Sequence, residues 1–558
     1  MAGVTQKEQF FVQERAPEDR CGVTTNYPED NPEYPGNVTC WRESWGEMGC
    51  ENCRWHANVS EKDSEELTIA RTNEAERLDG AMLREITLGD AVSFSGCSLF
   101  AADMTDAILQ GANLSGVDLR EANLTGTRLT ETTLTDADVR RATLVGTNFV
   151  WAELTDANFS EVKFENVDCF EADLTRVNFP GADLTGTKFS EGTLVDADLK
   201  SANLSDTDLE SSNLTGANMV MAKFNGSDLS GAILENAYLL STEFIDADLP
   251  GATLNGIDAR SVDFTKASLH KADFTDAKLR SAVFKGVRAG DCNFTDTNLN
   301  HANFADAILI DSTLKDAKAR DATFNKAVLE NTILTRTDLR EASLENALLY
   351  DAQFADTRIN NQTSFGSICY YEDASKRPYT IEGEAVHPLE AATWVYRRLE
   401  SLNEENAMAD RTREFHIRKE EAHRQLDCKQ GNYGRWLVAT LNRYITLHGE
   451  SIQHLLSAWL VTILGFGVLY PFAGGVNDGG EVFQIRLAAE VPTAESVTVV
   501  LEAVIRGLYF STITFTTIGY ANVAPHGFGS RVLVGLESLV GAILIALFVY
   551  VLGRRVAR

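Results

Sequence analysis

The sequence predicts a multidomain chain: a four-sided β-coil of pentapeptides, an α-helical linker and a membrane region with two spanning helices. Three observations predict it. From Phe94 to Ile359 every fifth residue falls in one register, giving 54 consecutive pentapeptides counted inclusively. Between 366 and 450 that register stops and apolar residues recur at helical spacing instead. Almost all long apolar runs lie in the last hundred residues.

Composition bounds the rest. The chain has 558 residues, 81 acidic against 50 basic, for a net charge of −31. Its apolar fraction of 44% is too high for a disordered chain. A mean hydropathy of −0.16 excludes a wholly membrane-embedded one. The negative charge argues against a phosphate-backbone ligand, which needs basic patches, so no nucleic-acid partner is expected. Three readings of the charge remain: a halophile's solvated surface, an acidic mimic of DNA, or a handler of cations. No nucleophile–base pair or phosphate-binding glycine loop is present, so an enzyme is not expected.

Residues 1–80 are polar, irregular and rich in Pro, Trp and Cys. No basic stretch followed by an apolar one opens them, so a cleaved signal peptide is not expected. Cys21, Cys40, Cys50 and Cys53 cluster there with His56, and C-E-N-C-R-W-H has a metal-like spacing. A structural Zn²⁺ would supply stability that a segment without its own core lacks. Free thiols and a redox disulfide are the alternatives. Five candidate ligands compete for four places.

The repeat occupies 81–365. Of its 54 register positions 31 are Leu and 15 are Phe, and the residue two before is usually Ala. A period of five fits neither a helix nor a simple strand. It fits a square coil in which the small residue and the Leu or Phe both point inward and the other three form a water-facing corner. Four pentapeptides close one coil, and coils stack about 4.8 Å apart. Cys97 and Cys292 take the small inward position and Cys169 the large one, so all three read as core. GANLSGVDLREANLTGTRLT shows the pattern, and it resembles the pentapeptide-repeat family, whose motif is A-(D/N)-L-x-x. That resemblance implies a right-handed quadrilateral β-helix. The family includes DNA mimics. The repeat here has 42 acids and 23 bases, a net of −19, but acidic corners are also what solvation and turn chemistry favour.

The linker, 366–450, places Leu389, Ala392, Val395, Leu399 and Leu402 near one helical face. Its second half turns basic, and GRWLVATLNRYITLHGE reads as an interfacial helix with Trp436 and Tyr444 at the headgroups.

In the membrane region, 451–558, Ser451–Phe472 and Arg531–Leu552 each match the roughly 20 residues a bilayer requires. Their outer flanks are basic and the loop between them is acidic, so both termini are expected in the cytoplasm. Between the spans lies an apolar helix from about Val499 to Phe515 and then a Thr-rich turn. Such a piece needs protein or water around its backbone. Thr516-Thr517-Ile518-Gly519-Tyr520-Ala521-Asn522 resembles the potassium-channel filter, T-[V/I]-G-Y-G-D. The resemblance implies four chains around an axis, K⁺ held by the Thr517 hydroxyl and by the carbonyls of Thr517, Ile518, Gly519 and Tyr520, and Gly541 as the inner-helix gating hinge. Two positions depart from the family. Ala521 replaces the second filter glycine, and a non-Gly residue forced to positive φ costs about 1–2 kcal/mol. Asn522 replaces the Asp, which leaves Asp478 and Glu481 to concentrate cations at the mouth. Glu537 lies inside the second span, as a packing or pore group or one that snorkels to the interface.

The expectation is a tetrameric cation channel for K⁺ in the cell membrane, in contact with lipid, with cytoplasmic rods as scaffold or gating domain for an unknown cytoplasmic protein. A membrane-anchored acidic scaffold with a non-conducting or non-selective pore is the alternative.

Overall fold

The computed structural model describes residues 10–12, 24–26, 37–40, 78–88, 92–366, 368–372, 379–381, 384–485, 494–516 and 522–557. The chain forms two compact units, Met1–Tyr370 and Tyr371–Arg558. In the first, three short strands, β1 (Phe10–Val12), β2 (Thr24–Asn26) and β3 (Asn37–Cys40), pair antiparallel in the order β1-β3-β2.

The repeat is a β-coil. Parallel bridges join residues 20 apart, as Asn113 with Thr133 and Ser98 with Asp118, so one coil is four pentapeptides. One of these contacts lengthens into a two-stranded parallel ladder, β4 (Thr143–Val145) with β5 (Lys163–Glu165). The central Leu or Phe donates its N–H to the next coil, as Leu114 to the Thr133 carbonyl at 2.7 Å. The small residue that follows donates back across the corner, as Ala112 to the Leu109 carbonyl at 3.0 Å. These bonds satisfy the backbone and leave the side chains to fill the interior. Leu114, Ala112, Leu134 and Ala137 are at most 1% exposed.

The polar letters of the motif have their own causes. The residue before the Leu is often Asn or Asp because its side chain caps the corner: Asn123 Oδ1 accepts from the Thr125 N–H at 3.2 Å and the Thr125 hydroxyl at 2.7 Å. The second residue after the Leu sits in the left-handed region, with φ of 56° at Asp106 and 63° at Gly116, where Asp, Asn and Gly are tolerated best. Where Thr takes the small inward position its hydroxyl is buried, yet Thr127 Oγ1 reaches the Met104 carbonyl at 2.8 Å and Thr147 Oγ1 the Leu124 carbonyl at 2.8 Å. The four stacks of pentapeptides are named I to IV by their first central residues, Phe94, Leu99, Met104 and Leu109. In stack III six phenylalanines pile up from Phe224 to Phe324, with ring centroids 4.5–5.2 Å apart. Burial pushes the Cys292 thiol up to about 12, and it raises Cys169 as well.

The coil begins before Phe94. Leu78, Leu83 and Leu88 are buried and step by five, and Met82 bridges Asp103 across 21 residues rather than 20. One extra residue between Leu88 and Phe94 breaks the sequence register without breaking the coil. The same offset recurs at the far end, where Ser343 bridges Ser364 and Phe365 is buried.

The second unit opens with a hairpin, β6 (Tyr379–Ile381) and β7 (Glu384–Val386). Six helices follow. α1 (Pro388–Glu405) starts at a His387 cap whose Nδ1 accepts from the Leu389 N–H at 3.1 Å, with Pro388 in the first turn. It buries Leu389, Ala392, Val395, Leu399 and Leu402, the face read from the spacing, against Phe415, Ala422 and Leu426 of α2 (Ala409–Lys429). α3 (Tyr433–Thr446) leaves Tyr433, Leu437, Val438, Leu441 and Tyr444 more than half exposed in the single chain. Three left-handed residues, Leu447, His448 and Gly449, turn the chain into α4 (Ile452–Ala473), capped by Ser451. Strands β8 (Val476–Asp478) and β9 (Glu481–Phe483) follow, then α5 (Ala494–Thr516), β10 (Val523–Pro525) and α6 (Gly527–Ala557). α5 starts earlier than the spacing suggested. Among the described residues three helices are long and apolar enough to cross a membrane, within α4, α5 and α6.

Candidate functional site

The filter-like residues Thr517, Ile518, Gly519, Tyr520 and Ala521 lie outside the described residues. So do Cys21, Cys50, Cys53 and His56, while Cys40 is described only as the backbone end of β3. What surrounds the filter segment is described, and it is built from three helices and a small sheet.

α5 ends at Thr516, directly before that segment. Its last turn is anchored by Phe515, 1% exposed among Leu455 and Leu544, with the Trp459 ring 5.6 Å away. Gly541 faces the same point from α6. A Cβ there would lie 3.0 Å from the Phe515 carbonyl oxygen, so glycine sets how closely α6 passes the end of α5. α6 runs through Gly541 as one continuous helix.

One turn deeper, a polar node ties the three helices together. Glu537 of α6 is fully buried. Its Oε2 accepts from the Tyr470 hydroxyl of α4 at 2.6 Å, and its Oε1 bonds the Ser511 hydroxyl of α5. Ser511 Oγ also meets the Ile463 carbonyl at 2.9 Å. Of the readings open for Glu537, its burial and these two partners fit the packing one. Sequence alone shows the Glu but not its partners, because a lone Tyr and a lone Ser in apolar helices carry no pairing signal. α4 and α5 also meet through glycines. A Cβ on Gly507 would collide with the Gly467 carbonyl, and one on Gly467 would lie 2.8 Å from Leu508 Cα.

On the other side of the filter segment the chain is clamped by a sheet in the order β10-β8-β9. Val523 pairs with Asp478, and the Gly479 N–H donates to the Asn522 carbonyl at 3.4 Å. Asp478 is not a free carboxylate at the mouth: it is paired with Arg506 of α5, whose guanidinium sits 5.2 Å over the Phe483 ring. Glu481 remains exposed. Asp478, Arg506, Tyr509 and Asn522 line a cavity of about 410 Å³ beside the filter segment.

At the opposite end of α6 the linker grips Arg554. Arg554 donates to His416 Nε2 of α2 at 3.1 Å and to Glu450 Oε1 at 3.2 Å. An arginine can only donate, so Nε2 accepts there, while His416 Nδ1 lies 2.9 Å from Glu400 Oε1 and 3.4 Å from Lys419 Nζ. Lys419 Nζ reaches Glu400 Oε2 at 2.8 Å. Burial alone would raise the Glu400 carboxyl, but the bonds from His416 and Lys419 outweigh it and hold the group at about 2. Burial pushes nearby His448 below its ordinary value. In the sequence Arg554 was only a basic flank.

Comparison with protein families assigns the parts. The model described as Pentapeptide repeats matches in 8 copies, the first at 97–136 and the last at 324–361, and one described as Pentapeptide repeat region matches 232–304. A third, described as Ion channel, matches 490–558, from the start of α5 to the end of α6. The chain carries pentapeptide repeats and an ion-channel domain. The channel domain and the apolar helices around it make this a membrane protein. No curated protein matches the chain.

Among solved structures, similarity runs to HetL, a pentapeptide repeat protein involved in heterocyst differentiation regulation from the cyanobacterium Nostoc sp. strain PCC 7120. It is 23% identical over 55% of this chain and 98% of its own, with a TM-score of 0.14. Rfr23 from the cyanobacterium Cyanothece 51142, also a pentapeptide repeat protein, is 27% identical over 21% of this chain and 82% of its own, with a TM-score of 0.12. QnrB1, a plasmid-mediated fluoroquinolone resistance protein, is 13% identical over 50% of this chain and 94% of its own, at 0.13.

Proposed function

We propose that the chain is one subunit of a homotetrameric cation channel that conducts K⁺ through Thr517, Ile518, Gly519, Tyr520 and Ala521. The observation that carries this reading is the end of α5. It stops at Thr516, immediately before the filter-like residues, while Phe515 packs against Gly541 of the inner helix and Ser511 joins Glu537 and Tyr470. A loop that must aim carbonyls at an axis needs such a fixed base. In this reading α4 and α6 are the two spans and α5 is a re-entrant pore helix. Lipid and three further copies cover the apolar side chains that one chain leaves exposed, such as Leu460, Val499, Leu539 and Val549. Gly541 acts as the gating hinge. Both termini lie in the cytoplasm of a cell-membrane protein, following the basic flanks.

The pentapeptide region is a right-handed quadrilateral β-helix that serves as scaffold or gating domain for a cytoplasmic protein, and nucleic acid is not a partner. A structural Zn²⁺ sits among Cys21, Cys40, Cys50, Cys53 and His56. Metal analysis of the purified full chain checks that assignment, and a metal-free folded chain would remove it.

The deciding experiment is flux from the full chain reconstituted in liposomes under a K⁺ gradient. Flux is expected, and Gly519→Val should abolish it. A verified tetramer that passes no ions would sink the channel reading and favour a membrane-anchored acidic scaffold. Equal Na⁺ and K⁺ permeability would remove only the selectivity.

A further inference from the structure

We propose that stack II of the coil is a lateral docking surface and that its occupant is an acidic face of the coil in a second copy of this chain. The inference rests on the proposed tetramer and adds how the coils meet.

The charge of the coil is not spread evenly. Between 94 and 359, stack II (the pentapeptides centred on Leu99, Leu119 and onward to Ile359) carries 11 basic and 9 acidic residues, a net of +2. The other three stacks together carry 12 basic and 33 acidic residues, a net of −21. Solvation of corners would not distinguish one stack from the others, since all four share the same backbone. The imbalance sharpens toward the end of the coil. From Asp258 to Arg358, stack II has seven basic residues and four acidic. Arg260, Arg280, Arg320 and Arg340 hold one position of the pentapeptide, just after the buried central residue. Lys278, Lys318 and Arg358 hold the position just before it. Bridges join Lys318 to Asp338 and Asp338 to Arg358, so these groups form a ladder with a rise of about 4.8 Å per coil.

Part of this charge is already used within the stack. Arg260 pairs with Asp258 at 2.7 Å, and Arg320 and Arg340 share Asp338, each at 2.7 Å. Among the described residues Lys278, Arg280, Lys318 and Arg358 make no ion pair, and all four are exposed. They are the groups left to meet a partner.

A second observation falls on the same stack. Met221 is 58% exposed, Tyr238 57% and Leu240 37%. The Met221 N–H donates to the Leu240 carbonyl at 3.0 Å, so these side chains belong to neighbouring coils and form one patch. It lies directly before the basic run. An apolar centre continued by a charged rim is the anatomy of a protein interface. The coil's other large exposed apolar side chains, Trp151, Ile233 and Ile308, stand on stacks I and IV, away from the basic run.

The occupant follows from charge. A surface with free Lys and Arg beside an apolar patch fits an acidic protein face, and three such faces stand on every other copy of the coil. Coils of net −19 tethered to one assembly are held at high local concentration and repel unless unlike faces meet. Rotational symmetry provides that meeting: in a ring each copy presents one surface to the copy on its left and a different one to the copy on its right. A net of +2 flanked by acidic stacks is a poor match for the dense charge of a nucleic-acid backbone.

The test uses the full chain in detergent, assembled from isotope-labelled and unlabelled copies and treated with a carbodiimide that joins amines to carboxylates without a spacer. Mixed-isotope cross-links from Lys278 and Lys318 to Asp or Glu of stacks I, III or IV are expected. They should fall to background in the Arg280→Glu, Arg320→Glu, Arg340→Glu triple variant and in Tyr238→Asp, with the native mass still that of a tetramer and the coil's circular dichroism unchanged. A tetramer whose Lys278 and Lys318 give no mixed cross-links would overturn the docking surface and leave the assembly standing. A monomeric native mass would overturn both. Binding of duplex DNA or anionic vesicles that depends on Arg280 and Arg320, without mixed cross-links, would give the surface to another class of partner and overturn the proposal.

Discussion

A single buried carboxyl ties together three apolar helices, α5 and α6 of the channel domain and their neighbour α4. Glu537 holds the hydroxyls of Tyr470 and Ser511, one from each of the other two apolar helices. Replacing it with alanine leaves the Tyr470 hydroxyl buried without its acceptor, at a cost of about 1–3 kcal/mol. Glu537→Ala should therefore lower the thermal midpoint of the detergent-solubilised chain, and Glu537→Gln, which keeps an acceptor, should lower it less. Equal midpoints for the two variants would mean that the node does not hold the helices. Glu400 offers a pH test at the same scale. Its folded pKa, about 2, lies below the ordinary value of 4.5. A depressed carboxylate stabilises fully above its unfolded pKa, and that contribution drains away as pH falls toward the folded value. Between pH about 4.5 and 2 wild type should lose more linker stability than Glu400→Gln, as read by helical circular dichroism; Glu421, held low by Arg424 and Arg443, titrates in both.

At the scale of elements, periodicity decided what could be read. The five-residue register gave the coil because one buried position recurs with no gap from Phe94 to Ile359. The register does not run back through Leu78 to Leu88, although the bounds 81–365 take in Leu83 and Leu88, because a single extra residue shifts the phase, and sequence periodicity is phase-sensitive where backbone pairing is not. The buried face of α1 was legible for the same reason: Leu389, Val395 and Leu399 recur at helical spacing and all are buried. The partners of Glu537 and the grip of His416 and Glu450 on Arg554 were not legible, since they join residues 26 to 138 positions apart by single contacts that leave no pattern. Glycines behave likewise. Gly467 and Gly507 look like ordinary apolar-helix glycines, yet they set the crossing of α4 and α5. Gly507→Leu should drive these helices apart and abolish K⁺ flux in liposomes, whereas substitution at Gly465, which has open space around it, should leave flux intact. Loss of flux at both positions would mean that close approach is not what Gly507 provides.

At the scale of the whole molecule, a coil and a channel domain on one chain join two kinds of order. The coil is quasi-one-dimensional, and each turn touches only its neighbours. The helical unit is held by packed apolar faces and by polar contacts between residues far apart in sequence. The coil's pairing interval of 20 residues makes it a ruler with a built-in compass. Removing a whole 20-residue turn from its middle shortens it by about 4.8 Å and leaves every side facing as before. Removing one pentapeptide costs almost the same in buried contacts but turns everything beyond it by a quarter revolution. Deleting 246–250 would swing the Arg260–Arg358 run away from Tyr238 and Leu240 while the coil itself stays folded. Copy-to-copy cross-linking at Lys318 should then fail after the five-residue deletion and survive a full-turn deletion, a difference that chain length alone does not predict. Insertions and losses in such a coil are thus changes of heading as much as of length, and only whole turns preserve both sides of a charged interface.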